Sequence, residues 1–398
     1  MTVQASAPRL PIELLRSIVD IVALDLPETF CELDLRAREA RQTLCKLSVT
    51  SKTMASIVRP ILWSNITLSS VNQLESFLKS TDKPFTLDSS PIVEPSSLVR
   101  AIRIGHVTAS LHMLMLVRGD LSHQNHRHQL KEVFKRCHNV RELRLAGLKQ
   151  ASSWIVPMSN LESLFILNCS IDASIRAHVA PPLMPHLTRL YITDNFFVAP
   201  ADIISTLLSP ETLPNLRSLA FALNHMDVMQ QPASSAWTLT TTTAPVLNQL
   251  FSLSTSEELD ESLEHTNIEF LDCWHDQLWT DSMRYLPKRL RYLRLNDSAH
   301  ESQQRGQQDE FTAAWTRYEA GRDTECLTRL ERIWVPQEWR ALAMFDPLRR
   351  QCQAKGVTIT YEGRHVDESD PQAVEDAAFD HMFWKIAQRT ERERVAMT

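Results

Sequence analysis

The sequence predicts a mixed fold of α plus α/β type. A helical domain occupies residues 8–68, a curved repeat solenoid with a mostly parallel sheet occupies 69–365, and a C-terminal capping helix occupies 371–395. Three observations carry this expectation. Apolar residues recur at helical spacing near the N-terminus, a short L-x-x-L-x-L strand pattern recurs through the middle of the chain, and helical spacing returns at the end.

The elements follow in order. Leu10-Pro11-Ile12-Glu13-Leu14-Leu15 opens a helix, with Pro11 suited to a first turn where its missing N–H is not needed. Leu14, Leu15, Ile18, Val19 and Val22 form one expected apolar stripe. A charged stretch from Asp34 to Arg41 intervenes. A second helical pattern runs through Leu44, Leu47, Val49, Met54, Ile57 and Val58. After Pro60, Ile61 to Leu68 ends as an alternating strand.

The strand pattern then repeats. Leu161/Leu164/Ile166/Cys169, Leu187/Leu190/Ile192/Asn195 and Leu216/Leu219/Phe221/Asn224 fit L-x-x-L-x-L-x-x-N/C in full. Val99/Ile102/Ile104, Val140/Leu143/Leu145, Ile268/Leu271/Cys273, Leu290/Leu293/Leu295 and Leu330/Ile333/Val335 lack the last residue, and Leu247/Leu250 is a further copy. Turn residues precede several copies: Pro157 to Asn160, Pro185-His186, Pro214-Asn215 and Pro287 to Arg289. One insertion, 298–325, reads as a polar loop and a short helix carrying Phe311, Ala314, Trp315 and Tyr318. Val374, Ala378, Met382 and Ile386 form the stripe of the terminal helix, which would hide the last core of a solenoid.

Composition excludes several function classes. The chain of 398 residues holds only 7 glycines, where average usage gives about 28, so a phosphate-binding Rossmann or P-loop enzyme is disfavoured. A net charge of −6 offers no electrostatic footprint for nucleic acid. The 7 scattered cysteines, without a C-x-x-C pair, do not read as a disulfide framework. No basic n-region precedes an apolar stretch and no long apolar run exists, so neither a signal peptide nor a membrane span is expected. A cytoplasmic or nuclear location is the expectation.

Chemistry-bearing clusters are sparse. His123, His126 and His128, followed by Cys137-His138, do not match zinc spacing and read as a polar loop. There is no Gly-x-Ser-x-Gly, Cys169 and Cys273 fall at inward repeat positions, and Glu257-Glu258 and Asp260-Glu261 sit in polar runs. No cofactor, metal or catalytic residue is expected. The two middle apolar residues of each repeat point inward, so their neighbours point outward. Those outward positions are Glu142, Arg144, Ser163, Phe165, Leu167, Arg189, Tyr191, Phe270, Asp272, Trp274, Tyr292, Arg294, Arg332 and Trp334. Aromatic and arginine side chains dominate binding hot spots. Phe165, Tyr191, Trp274, Tyr292, Arg294 and Trp334 are therefore the expected protein-binding row, exposed on one concave face, with cover by the 298–325 segment as the alternative.

The N-terminal segment resembles an F-box. Leu10-Pro11-x-Glu13-Leu14 with Ile18 matches the family's opening, Val49-Thr50-Ser51-Lys52 its middle, and Leu62-Trp63 its end. The stretch from Leu26 to Arg41 is longer than the family's usual turn, as in fungal members. The L-x-x-L-x-L copies resemble degenerate leucine-rich repeats, and the two together resemble a known family arrangement. The resemblance implies a non-enzymatic substrate-recognition subunit of an SCF-type cullin ubiquitin ligase. Leu10, Pro11, Leu14, Ile18 and Val49 would contact the Skp adaptor, with Trp63 nearer the core. A scaffold acting outside ubiquitination is the alternative implied function, and an enzyme with an unrecognised site is a third.

Overall fold

The structure is a computed structural model that describes residues 10–23, 35–82, 85–86, 92–105, 127–146, 148, 159–167, 184–193, 213–222, 247–252, 261, 263–264, 266–274, 285–296, 329–341 and 345–362. It is a mixed α/β protein that divides into two units, 1–143 with 370–398 and 144–369. The expected insertion helix in 298–325 and capping helix in 371–395 lie outside the described residues.

The first unit opens with α1 (Ile12–Ala23), α2 (Leu35–Ser48) and α3 (Lys52–Ser64). The Pro11 carbonyl accepts from the N–H groups of Leu14 and Leu15 at 3.1 and 3.2 Å, so the proline stands just ahead of the helix rather than inside its first turn. The charged stretch expected between helices is the first half of α2, and the single pattern expected to follow it is split between α2 and α3. The split falls at Ser51, whose side chain caps α3 by accepting from the Met54 N–H at 3.1 Å. Val19, Leu44, Met54 and Val58 form the shared core, flanked by Leu15, Val22, Leu47, Ile57, Ile61 and Leu62. Helix α3 continues through Pro60 to Ser64 instead of ending at the proline. The Arg41 guanidinium on α2 donates to the carbonyl of Asn65, the C-cap of α3, at 2.6 Å and satisfies an acceptor at that helix end.

Strand β1 (Asn65–Leu68) then pairs in parallel with β4 (Ala101–Gly105), Asn65 opposite Ala101. Between them lie α4 (Val71–Thr81) and a small antiparallel pair, β2 (Phe85–Thr86) with β3 (Ile92–Val93). Helix α5 (Arg127–Arg136) is tied to α4 by Arg136, which donates to the Leu78 carbonyl at 3.1 Å, Thr81 Oγ1 at 2.8 Å and Asp82 at 2.5 Å. Strand β5 (Glu142–Ala146) follows and spans the division between the units.

The second unit holds β6 (Ser163–Leu167), β7 (Arg189–Thr193), β8 (Ser218–Ala222), β9 (Gln249–Ser252), β10 (Phe270–Trp274), β11 (Tyr292–Asn296), β12 (Arg332–Pro336) and β13 (Thr358–Glu362). Each pairs in parallel with the next in chain order. Equivalent repeat leucines face each other across the pairs: Leu164, Leu190, Leu219 and Leu250, then Leu271 and Leu293. Leu143 in the first unit and Leu164, Leu190, Leu219, Leu271 and Leu293 in the second are all fully buried, as the pattern predicts.

Two backbone devices recur. At the start of a strand, two successive N–H groups share the carbonyl of the preceding repeat. Thr188 and Arg189 donate to Glu162 O at 2.9 and 3.1 Å, and Arg291 and Tyr292 to Glu269 O at 2.9 and 3.0 Å. Ahead of the strand stands a tight turn closed by an N–H to carbonyl bond three residues back: Leu187 to Met184, Leu216 to Leu213, and Leu290 to Pro287. These are the proline-marked turns of the sequence. Asn215 adds a rung between consecutive turns, its amide donating to the Pro185 carbonyl at 2.7 Å.

Strand β13 was not among the predicted repeats. It is reached through helix α6 (Asp346–Lys355), which ends at Gly356 with φ 75°. Glycine adopts this left-handed geometry without a Cβ penalty, and Val357 N–H closes the end onto Cys352 O at 2.8 Å.

Two substitutions test this account by urea denaturation. Leu190→Ala should lower stability by roughly 2 to 5 kcal/mol, because Leu190 is a fully buried strand leucine. Ser51→Ala should cost about 1 kcal/mol through loss of the α3 cap.

Candidate functional site

Two surfaces were expected to bind partners, and the structure treats them differently. The first is α1. Its apolar residues fall into two lines rather than the one stripe expected. Leu15, Val19 and Val22 turn into the three-helix core. Leu14 and Ile18 stay 51% and 41% exposed, joined by Leu10 and by Ile21, which the sequence analysis did not single out. At about 100° per residue Leu14, Ile18 and Ile21 lie along one side of the helix, within about 60° of arc, and Leu10 stands just ahead of its first turn. Pro11 is exposed beside them, and Val49, in the turn between α2 and α3, is 84% exposed. All five residues expected at an adaptor surface, Leu10, Pro11, Leu14, Ile18 and Val49, are thus solvent-exposed. Trp63 is partly buried and packs on Phe77 with ring centroids 5.7 Å apart.

The second surface is the outward strand face, and here the expectation of exposure fails. Phe165 and Trp334 are 2% exposed, Tyr191 is buried, and Arg294 and Asp272 are buried together. Registered neighbours at one strand spacing also touch each other. The Phe165 and Tyr191 rings stand opposite each other with centroids 5.8 Å apart, and the Arg144 guanidinium lies 4.5 Å from the Phe165 ring centre. Phe270 on β10 and Trp334 on β12 meet at 5.8 Å, each also within 6.2 Å of Tyr292 on the strand between them. Arg294 Nη1 lies 3.6 Å from Asp272 Oδ2.

Tyr292 itself remains partly exposed. Its hydroxyl donates to Glu331 at 2.8 Å, and Glu331 also takes Arg291 Nε at 2.7 Å. Arg291 and Arg332 stack over Tyr292 and Trp334 at 5.3 and 5.6 Å. Trp274 and Tyr292, both members of the expected row and on adjacent strands, do not stand opposite each other. Trp274 pairs with Asn296, and Tyr292 pairs with Phe270. The Trp274 side chain lies outside the described residues.

Groups with possible chemistry add little. His123, His126, Cys169, Glu257, Glu258 and Asp260 lie outside the described residues. His128 and His138 are exposed. Among the described residues no three His, Cys, Asp or Glu side chains cluster as a metal site. Cys273 is buried. Cys137 is buried too, and burial pushes its thiol up to about 12, which keeps it protonated and non-nucleophilic at neutral pH. Among the described residues no helix is long and apolar enough to cross a membrane.

No protein-family model matches the chain, and no curated protein matches it in sequence.

Tyr292 gives a titration test. Burial, with the hydrogen bond to Glu331 second, raises its pKa from 10.0 to about 12. The folded state therefore holds this proton more tightly than the unfolded chain. Its contribution to stability is present below pH 10 and is lost as pH rises from 10 to 12. The tyrosinate step near pH 12 in an ultraviolet absorbance titration of the native protein should lose one tyrosine in Tyr292→Phe and move to lower pH in Glu331→Gln.

Proposed function

We propose that this chain is the substrate-receptor subunit of an SCF-type cullin ubiquitin ligase. It is not itself catalytic. An F-box formed by α1 to α3 docks on the Skp adaptor, and a leucine-rich-repeat solenoid formed by the parallel strands holds a protein substrate close to the ubiquitin-loaded enzyme, so that rate is gained by proximity. The observation that carries this reading is the exposed line of Leu10, Leu14 and Ile18, with Val49 nearby, at the positions of the family motif. A helical unit of this size is marginal by itself, and an apolar line left in water on such a unit is a docking face. The chain-ordered parallel pairing of β6 to β13 supports the repeat half of the reading.

Substrate capture is assigned to Tyr292 with Arg291 and Arg332, which keep partial exposure where Phe165, Tyr191, Arg294 and Trp334 do not. The partner side then consists of the Skp adaptor, the cullin complex and a protein substrate. The soluble compartments that contain such ligases, cytoplasm and nucleus, are its place of action.

Leu14→Asp tests the reading. The new carboxylate would sit in the docking seam, where an unpaired buried charge costs several kcal/mol. Co-purification of the Skp adaptor and cullin should be lost while the circular-dichroism spectrum is kept, since Leu14 is exposed in the chain alone. Normal adaptor binding by this variant would overturn the F-box assignment. Adaptor binding without cullin would favour a scaffold acting outside ubiquitination.

A further inference from the structure

We draw no further inference here: the strongest candidate, the surface patch of exposed Arg289 and Arg329 on the turns ahead of β11 and β12 in the second unit, is flanked by the exposed Glu331 and by segments outside the described residues, and nothing in the structure shows what covers it.

Discussion

Register at the strand starts is the constraint on which the second unit depends. Strands β7, β8, β10, β11 and β12 begin by placing two successive N–H groups on one carbonyl of the repeat before, as Arg217 and Ser218 do on Thr188 at 2.9 Å, while Asn248 ahead of β9 and Thr358 of β13 each place one. That fork leaves no freedom to slide. Once it is made, the residue two places on, a leucine or isoleucine in most copies, must land beside its counterpart in the adjacent strand. Side chains alternate along a strand, so a slip of one residue would exchange both faces at once. The turns ahead of the strands serve the same end. Pro185 and Pro214 hold φ near the value a turn needs, so less chain entropy is lost when the fork closes.

The three-helix unit answers a different constraint, the shortage of core in a small domain. Helix α1 has apolar residues over more than half its circumference, and only the side carrying Leu15, Val19 and Val22 finds a place against α2 and α3. Filling the other side would need a further element. The line from Leu10 to Ile21 therefore stays in water on the chain itself. The unit is held at its other end by polar contacts, the Arg41 bond to the Asn65 carbonyl and the Ser51 cap, which fix α2 and α3 without using more apolar surface. Burial lowers the pKa of Arg41, the cost of bringing its guanidinium to the Asn65 carbonyl.

Much of this was legible in the sequence, and the exceptions have physical causes. The repeat leucines were read correctly because a buried position two residues from the next has few alternatives to Leu, Ile or Val. Helix α3 was cut short because Pro60 removes only one donor, and the helix runs just one more turn before Asn65. The first half of α2 was hidden by composition, since Arg36, Arg38, Glu39 and Arg41 set close together resemble a loop in sequence. Strand β13 was missed because Val357-Thr358-Ile359-Thr360-Tyr361 alternates without a leucine, and its signal, Gly356 after a helix, lies outside the repeat pattern. The single stripe on α1 resolved into two lines because spacing alone does not say which side meets a neighbour. Exposure of Phe165, Tyr191 and Trp334 failed for a related reason. Alternation gives a face and does not say what lies against it.

Those lateral contacts show how irregular repeats keep a regular sheet. Most copies lack the asparagine or cysteine that ends the full pattern, and the segments between strands differ in length, so little in any one repeat specifies its alignment. The pairs across the outward face supply what is missing. Phe165 meets Tyr191, Phe270 meets Tyr292, and Asp272 meets Arg294, each at an equivalent strand position. At the strand starts Arg291 lies between Glu269 and Glu331, 3.7 and 2.6 Å away. A ring placed opposite a ring, or a cation opposite an anion, is favourable in one alignment only. Shifting β11 by a single residue against β10 would set the buried Asp272 beside a core leucine and leave its charge without Arg294, at a cost far above that of a lost surface ion pair. Matched pairs on this buried face, ring with ring and cation with anion, thus perform the alignment that consensus residues perform in a regular array, and they give Arg294 and Asp272 a role that a plain apolar pair would not fill.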